Sequence, residues 1–203
     1  KAYEYNIDKA KALLKEIGIY DRNGNGLAED SRNNPIKFNL FTNANNTVRI
    51  KIANLIVKDL TRLGFQVNFL PLEFNQLVAK LDATFDWEAI LIGLTGGIEP
   101  HFGKNVWDSS GHLHMWSPKQ NHPQTQWERE IDDIFNQGVQ ELDKNKRKKF
   151  YDRWQEIVAE KLPFIYTALP ASIFAVRNKF GNLRPTSYGG AFHNLEEIYI
   201  KQK

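Results

Sequence analysis

The sequence predicts an α/β protein. Between residues 7 and 94 the hydrophobic spacing alternates between a period of 3.6 and a period of 2. The connections suit right-handed crossovers between parallel strands. The run Ala89-Ile90-Leu91-Ile92 is apolar enough to be a strand covered on both faces.

Each element has its own signal. Ile7, Ala10, Leu13, Leu14 and Ile17 fall at helical spacing over 7–17; Asn6 or Asp8 can cap the start and Gly18 closes the end. A turn cluster, Asp21 to Gly26, follows. Ile36, Phe38 and Leu40 alternate with polar or outward positions, giving a strand over 36–42. Residues 46–63 read as a long amphipathic helix stopped by Gly64. Phe65, Val67 and Phe69 alternate as a second strand, which Pro71 is expected to end. Phe74, Leu77, Val78 and Leu81 mark a short helix, and 85–94 the third strand.

Periodicity then disappears from Thr95 to about Thr125, a stretch rich in Gly, Ser, His, Asn, Pro and Trp. Long irregular segments are uncommon in compact domains and are often functional. Helical spacing returns over 126–142, and again over 144–161, where Asp143 is a candidate cap. Phe164–Leu169 and Ser172–Val176 read as strands separated by Pro170, and the tail from Asn178 reads as loop until Ile198-Tyr199-Ile200.

Composition narrows the function. The 203 residues can bury a core without disulfides or metals. Apolar residues at 41% and charged residues at 25% exclude disorder and collagen. A net charge of +3 is too small to argue for nucleic acid or an anionic membrane. The basic run Lys144 to Lys149 accordingly reads as a solvated helix face. Cysteine is absent, which removes a thiol nucleophile and a Cys-ligated metal. No apolar run reaches the roughly 18 residues of a membrane span. The opening Lys-Ala-Tyr-Glu-Tyr has no initiator Met and no signal peptide, and reads as a piece of a longer chain.

Asp21-x-Asn23-x-Asn25-Gly26 matches the first half of a calcium loop, but position twelve is Arg32, a cation, where a bidentate Glu is required. A polar turn is the expectation. His101, His112, His114 and His122 lie in the long loop, and His112-x-His114 can offer two imidazoles to a metal; nothing fixes further converging ligands, so loop histidines without metal are expected. No nucleophile elbow, P-loop or dinucleotide fingerprint is present. Gly93-Leu94-Thr95-Gly96-Gly97 follows a strand, but its spacing fits neither glycine-rich phosphate motif.

The most informative segment is Gly97 to Trp116, beyond the carboxyl end of the third strand, where open α/β sheets bind ligands. Trp107 and Trp116 can supply flat apolar contact; Asn105, Ser109, Ser110 and His114 can supply hydrogen bonds. The competing reading is that these tryptophans pin the loop to the core. The candidate ligand-binding set is Thr95, Gly96, Gly97, Glu99, Asn105, Trp107, Ser109, His114 and Trp116. No catalytic residue, metal or cofactor is assigned.

The chain also resembles a known family. Tyr5 to Leu14, Gly18 and the Asn/Gly turn, the Phe38-Leu40-Thr42 strand, Arg49 to Gly64, Phe74-Asn75-Gln76-Leu77, Phe85-Asp86-Trp87, Pro100 and Leu162-Pro163-Phe164-Ile165-Tyr166 come in the order and spacing of the C-terminal lobe of the family 5 extracellular solute-binding proteins. These are the dipeptide-, oligopeptide- and nickel-type receptors of ABC importers. The resemblance implies a lobe of the periplasmic-binding-protein type II fold, a mixed sheet flanked by helices. It implies a receptor without chemistry of its own, which captures a peptide or other small solute between two lobes and presents it to the transmembrane permease subunits. The whole chain, 1–203, would be one C-terminal lobe, with 178–203 a return segment toward a missing N-terminal lobe. Family members are periplasmic, or extracellular and lipid-anchored. Nucleic acid is not among the expected partners.

One departure stands out. Peptide-binding members carry an Asp shortly before the proline that follows the buried strand, where it pairs with the peptide's α-ammonium group. The matching position here falls near Gly96, and Glu99 can substitute only if the loop shifts. That leaves open a modified peptide or a non-peptide ligand. Two other classes remain in view: a hydrolase using carboxylates and histidines of the long loop, and a protein-interaction module built on its tryptophans.

Overall fold

The computed structural model describes residues 3–171 and 173–202. The chain divides into two compact units, Lys1–Thr95 with Asn105–Asp133, and Gly96–Lys104 with Ile134–Lys203.

The first unit is built on a parallel sheet. Strands β1 (Lys37–Asn43), β2 (Gln66–Leu72) and β3 (Ala89–Ile90) lie in the order β2-β1-β3. β1 pairs with β2 from Lys37↔Gln66 to Asn43↔Leu72, and with β3 at Leu40↔Ala89 and Phe41↔Ile90. The Leu91 N–H to Phe41 carbonyl bond (2.8 Å) and the Thr42 hydroxyl to Leu91 carbonyl bond (2.8 Å) extend that pairing. The strand expected over 85–94 is much shorter at both ends: Phe85 takes a left-handed conformation (φ 57°), and residues 93 and 94 make no backbone–backbone bond. Conversely, β2 continues through Pro71. Pro71 sits on an edge strand, where its missing N–H breaks no ladder. All pairings in this sheet are parallel; the first unit also has isolated antiparallel bridges at Tyr20↔Glu29 and Glu29↔Pro35, and the antiparallel strand pair lies in the other unit.

Helices α1 (Ile7–Glu16) and α2 (Thr47–Arg62) form where the spacing places them. Asn6 caps α1 by accepting from the Lys9 N–H, and Asn46 caps α2 by accepting from the Arg49 N–H. α2 packs against β1 and β2, with Ala53 fully buried. Gly64 ends it at φ +88°, with the Phe65 N–H bonding back to the Leu60 carbonyl at 3.0 Å. A Cβ there would lie 2.6 Å from the Ala28 nitrogen, which donates to the Gly64 carbonyl. α3 (Phe74–Ala79) packs against β1 and continues as a π-helical turn to Thr84. The core here includes Leu40, Phe41, Leu77, Leu81, Trp107 and Ile131.

The loop predicted over 95–125 contains a 3₁₀ turn (Pro100–Gly103) and a one-turn helix α4 (Lys104–Trp107). Helix α5 (Gln126–Gly138) starts where expected but stops four residues early. Val139 and Leu142, which extend its apolar spacing in sequence, are exposed, so no buried face continues the helix.

The second unit centres on α6 (Lys144–Lys161), which has the predicted bounds. The Asp143 carboxylate accepts from the Asn145 and Lys146 N–H groups, both at 2.9 Å, offsetting the cations in the first turn. Phe135 is fully buried and meets the Tyr151 and Trp154 rings edge-on. The strands expected over 164–169 and 172–176 do not form among the described residues; Ser172 lies outside them. Residues 165–171 and 173–176 show no backbone–backbone hydrogen bond among the described residues, and Ile165, Leu169 and Ile173 are more than four-fifths exposed. Alternating apolar residues make a strand only where another strand pairs with them. The tail is more ordered than its composition suggested: β4 (Phe180–Gly181) pairs antiparallel with β5 (Tyr199–Ile200).

Candidate functional site

Within the first unit, the carboxyl ends of β1 and β3 bring Asn43, Arg49 and Gly93 together. Asn43 is the last residue of β1, and Arg49 lies in the first turn of α2. One guanidinium nitrogen of Arg49 donates to Asn43 Oδ1 at 2.7 Å. The other lies against Gly93: a Cβ on that residue would be 2.6 Å from Nη2. Glycine is what lets the guanidinium rest on the backbone there. Arg49 forms no ion pair among the described residues. Its side chain carries a permanent charge and five donors. Sequence reasoning missed Arg49 as a site residue, since an Arg in a helical run looks like any solvated charge. The usable signal was its place at the start of the helix that follows β1.

Beyond β3 the chain is open. Residues 93–98 are all exposed, and none of their backbone groups bonds another backbone group. Thr95 belongs to the first unit and Gly96 and Gly97 to the second. Gly96 has nothing within 4 Å of where a Cβ would stand.

The tryptophan-rich segment is mostly internal to the first unit. Trp107 is buried and its ring lies 5.6 Å from Trp116, which lies 5.9 Å from Trp127. His114 is 1% exposed; its Nδ1 bonds the Val106 carbonyl at 3.2 Å and its Nε2 the Gln120 amide at 2.9 Å. Ser109 is equally buried, its N–H donating to Asp132 Oδ1 at 2.8 Å. Asn105 is exposed, and its Oδ1 accepts the His112 N–H at 2.9 Å.

Glu128 holds this segment. It is 2% exposed and accepts from Trp116 Nε1 (3.0 Å), the Gln124 N–H (2.9 Å), and the N–H and hydroxyl of Thr125 (2.9 and 3.0 Å). Burial works to raise its carboxyl, but the bonds donated by Trp116, Thr125 and Gln124 outweigh it and hold the group below the usual range. Thr125 accepts in return from the Glu128 N–H at 3.3 Å, a capping box at the head of α5. The Thr-x-x-Glu spacing was a readable signal for it. At Asp132, burial pushes the carboxyl up and nearby Asp108 adds to that, against the lowering effect of the Ser109 N–H.

In the second unit Glu99 accepts from the His101 N–H (3.2 Å) and pairs with Arg147, whose guanidinium is raised chiefly by the bond to Glu99. The Glu99 carboxylate is thus already matched by a cation.

The Asp21 turn is held by its own oxygens. Asp21 accepts from the Gly24 and Gly26 N–H groups, Asn23 from Asn25, and Asn25 from Leu27. Among the described residues no group of three or more His, Asp or Glu could hold a metal ion.

This geometry defines a class: an α/β protein with an open segment at the carboxyl end of a parallel sheet. Residues 1–112 match the family model described as bacterial extracellular solute-binding proteins, family 5 middle, and the chain belongs to that family. It is 31% identical over 185 residues to a probable ABC transporter-binding protein of Deinococcus radiodurans, covering 85% of this chain and 31% of the relative. It is 26% identical to the oligopeptide-binding protein AppA of Bacillus subtilis, over 99% of this chain and 35% of the relative. A periplasmic alpha-galactoside-binding protein of Rhizobium meliloti is 21% identical, again over 99% of this chain and 30% of the relative. The solved structure of AppA with a nonapeptide superposes with a TM-score of 0.71 at 22% identity, covering 98% of this chain and 38% of that one. The chain thus has the fold of these type II binding proteins. The chain spans about a third of the length of the curated relatives it matches. The family and these relatives are binding proteins rather than enzymes, and the family is extracellular. Among the described residues no helix is long and apolar enough to cross a membrane.

Proposed function

We propose that the chain, 1–203, is the C-terminal lobe of the substrate-binding component of an ABC importer. It carries one wall of a site that closes on a small solute, and the loaded receptor delivers that solute to the permease outside the cytoplasmic membrane. The second wall belongs to an N-terminal lobe, and no bond is made or broken. In this reading Thr95, Gly96, Gly97 and Asn105 meet the solute. Trp107, Ser109, His114 and Trp116 act through the conformation of the segment, and Glu99 through its bond to Arg147. The observation that carries the proposal is the exposed backbone of 93–98 at the carboxyl end of β3, where ligands of open α/β sheets bind. The peptide and galactoside named for two relatives set the solutes to try first.

Titration calorimetry with peptides, oligosaccharides and nickel–histidine tests this, on the full-length receptor and on the 203-residue chain. One solute class binds the receptor with 1:1 stoichiometry, and the chain alone binds it weakly or not at all, because closure supplies half the contacts. Tight 1:1 binding by the chain alone refutes the half-site.

A further inference from the structure

The net charge of +3 is not spread evenly along the chain. The first unit carries 14 Lys and Arg against 16 Asp and Glu, and the second 13 against 8, so the second alone stands at +5. Much of that excess sits at one end of α6. Lys144, Lys146, Arg147, Lys148 and Lys149 occupy its first two turns, while the later turns set Asp152, Glu156 and Glu160 against Arg153 and Lys161. A helix dipole favours acids at the start and cations at the end, so this order opposes it. Arg147 is matched by Glu99, and Lys148 by Asp152. Lys144, Lys146 and Lys149 are exposed and form no ion pair among the described residues.

Beside these lysines stands an apolar side chain with nothing to pack on. Leu142, just before the Asp143 cap, is 95% exposed, and Val139 is 44% exposed. A hydrophobic residue in the place of Leu142 ordinarily packs against the fourth helical residue. Here that residue is Arg147, which pairs with Glu99. An exposed leucine flanked by lysines suits a bilayer surface: the apolar group enters the interface and the cations meet lipid phosphates. A protein partner fits less well, because the centres of protein interfaces draw on Trp, Tyr and Arg and are depleted in Lys. Lysine is a compact, hydrated charge on a flexible stem, suited to a diffuse anionic surface.

We propose that residues 139–143 and the start of α6 dock on an anionic lipid surface, with Leu142 entering it and Lys144, Lys146 and Lys149 meeting its phosphates. The proposal rests on the receptor reading above, which brings the protein to a membrane at delivery, and adds a direct contact with the lipid there. The chain-wide charge conceals this patch, and the basic run is more than a solvated helix face.

The test is flotation of the 203-residue chain with vesicles of phosphatidylcholine alone or mixed with phosphatidylglycerol. The chain floats with the mixed vesicles and not with phosphatidylcholine, and added salt weakens the binding. Changing Lys144, Lys146 and Lys149 together to Gln weakens it at least about tenfold. Leu142→Ser weakens it at least about threefold. Changing Lys37, Lys51 and Lys58 to Gln removes the same charge from exposed lysines of the first unit, and alters binding by less than about twofold if the patch, rather than net charge, is responsible. The α6 triple variant melts no lower than wild type, since its lysines oppose the helix dipole; lost binding is then not lost folding. Equal binding to both kinds of vesicle, equal losses in the two triple variants, or tighter binding to soluble polyglutamate than to the mixed vesicles overturns the lipid contact. Each of those results leaves the receptor reading standing, because solute calorimetry tests that reading separately.

Discussion

Replacing Glu128 with Gln should destabilise the first unit by about 2–4 kcal/mol. The carboxylate is 2% exposed. One oxygen accepts from the Gln124 N–H and from both the N–H and the hydroxyl of Thr125; the other accepts from Trp116 Nε1. A glutamine can leave its oxygen toward Thr125, but its amide nitrogen then faces the Trp116 N–H. Two donors are opposed in a buried place, at about 1–3 kcal/mol, and the remaining bonds lose the charge that strengthens them. At about 2–4 °C per kcal/mol for a chain of this size, the melting temperature falls by about 4–16 °C. Circular dichroism gives the midpoint, and tryptophan fluorescence reports the loss of the Trp116 bond. The pH dependence gives a second check. The folded-state carboxyl is held below its usual value, so its stabilisation is present above the ordinary Glu pKa and is lost as pH falls through the folded value. The gap between wild type and variant should therefore narrow in acid. A variant melting within about 1 °C of wild type at pH 7 refutes the view that Glu128 holds the segment.

Three further outcomes follow from the same structure. Gly64→Ala should destabilise by more than the roughly 1 kcal/mol of an ordinary Gly→Ala change at positive φ, since its Cβ would meet the Ala28 nitrogen at 2.6 Å; chemical denaturation measures it. Asp132→Asn should flatten the stability profile above the ordinary Asp pKa of about 4. The raised folded-state carboxyl favours the fold below its unfolded pKa, and that benefit is lost as pH rises through the folded value. Amide exchange over 165–171 and 173–176 should be faster than at Phe41 and Leu91 in the 203-residue chain, because the sheet residues are bonded across strands.

Much of this molecule was legible in its sequence where local chemistry decides the outcome. The bounds of α6 follow from the Asp143 cap and the apolar spacing through Val158, and Asn6, Asn46 and Gly64 mark helix ends as their side chains or conformations require. Sequence failed where the deciding partner is distant. Residues 164–169 alternate like a strand yet pair with no strand among the described residues, and Pro71 looks like a strand end but sits harmlessly on an edge. The candidate site divides in the same way. The exposure of Thr95 to Gly97 follows from a glycine-rich segment beyond a buried strand. The burial of Ser109 and His114 depends on Glu128 and Asp132, fourteen or more residues away along the chain.

The central claim is that this lobe meets a solute at the carboxyl ends of its parallel sheet. Hydrogen exchange of the full-length receptor, with and without a saturating amount of the compound that binds it in calorimetry, tests that claim most directly. The account predicts that added protection in this lobe concentrates at residues 93–98 and at the first turn of α2 around Arg49. Protection confined to other surfaces of the lobe, with 93–98 exchanging at the same rate in both states, would contradict it.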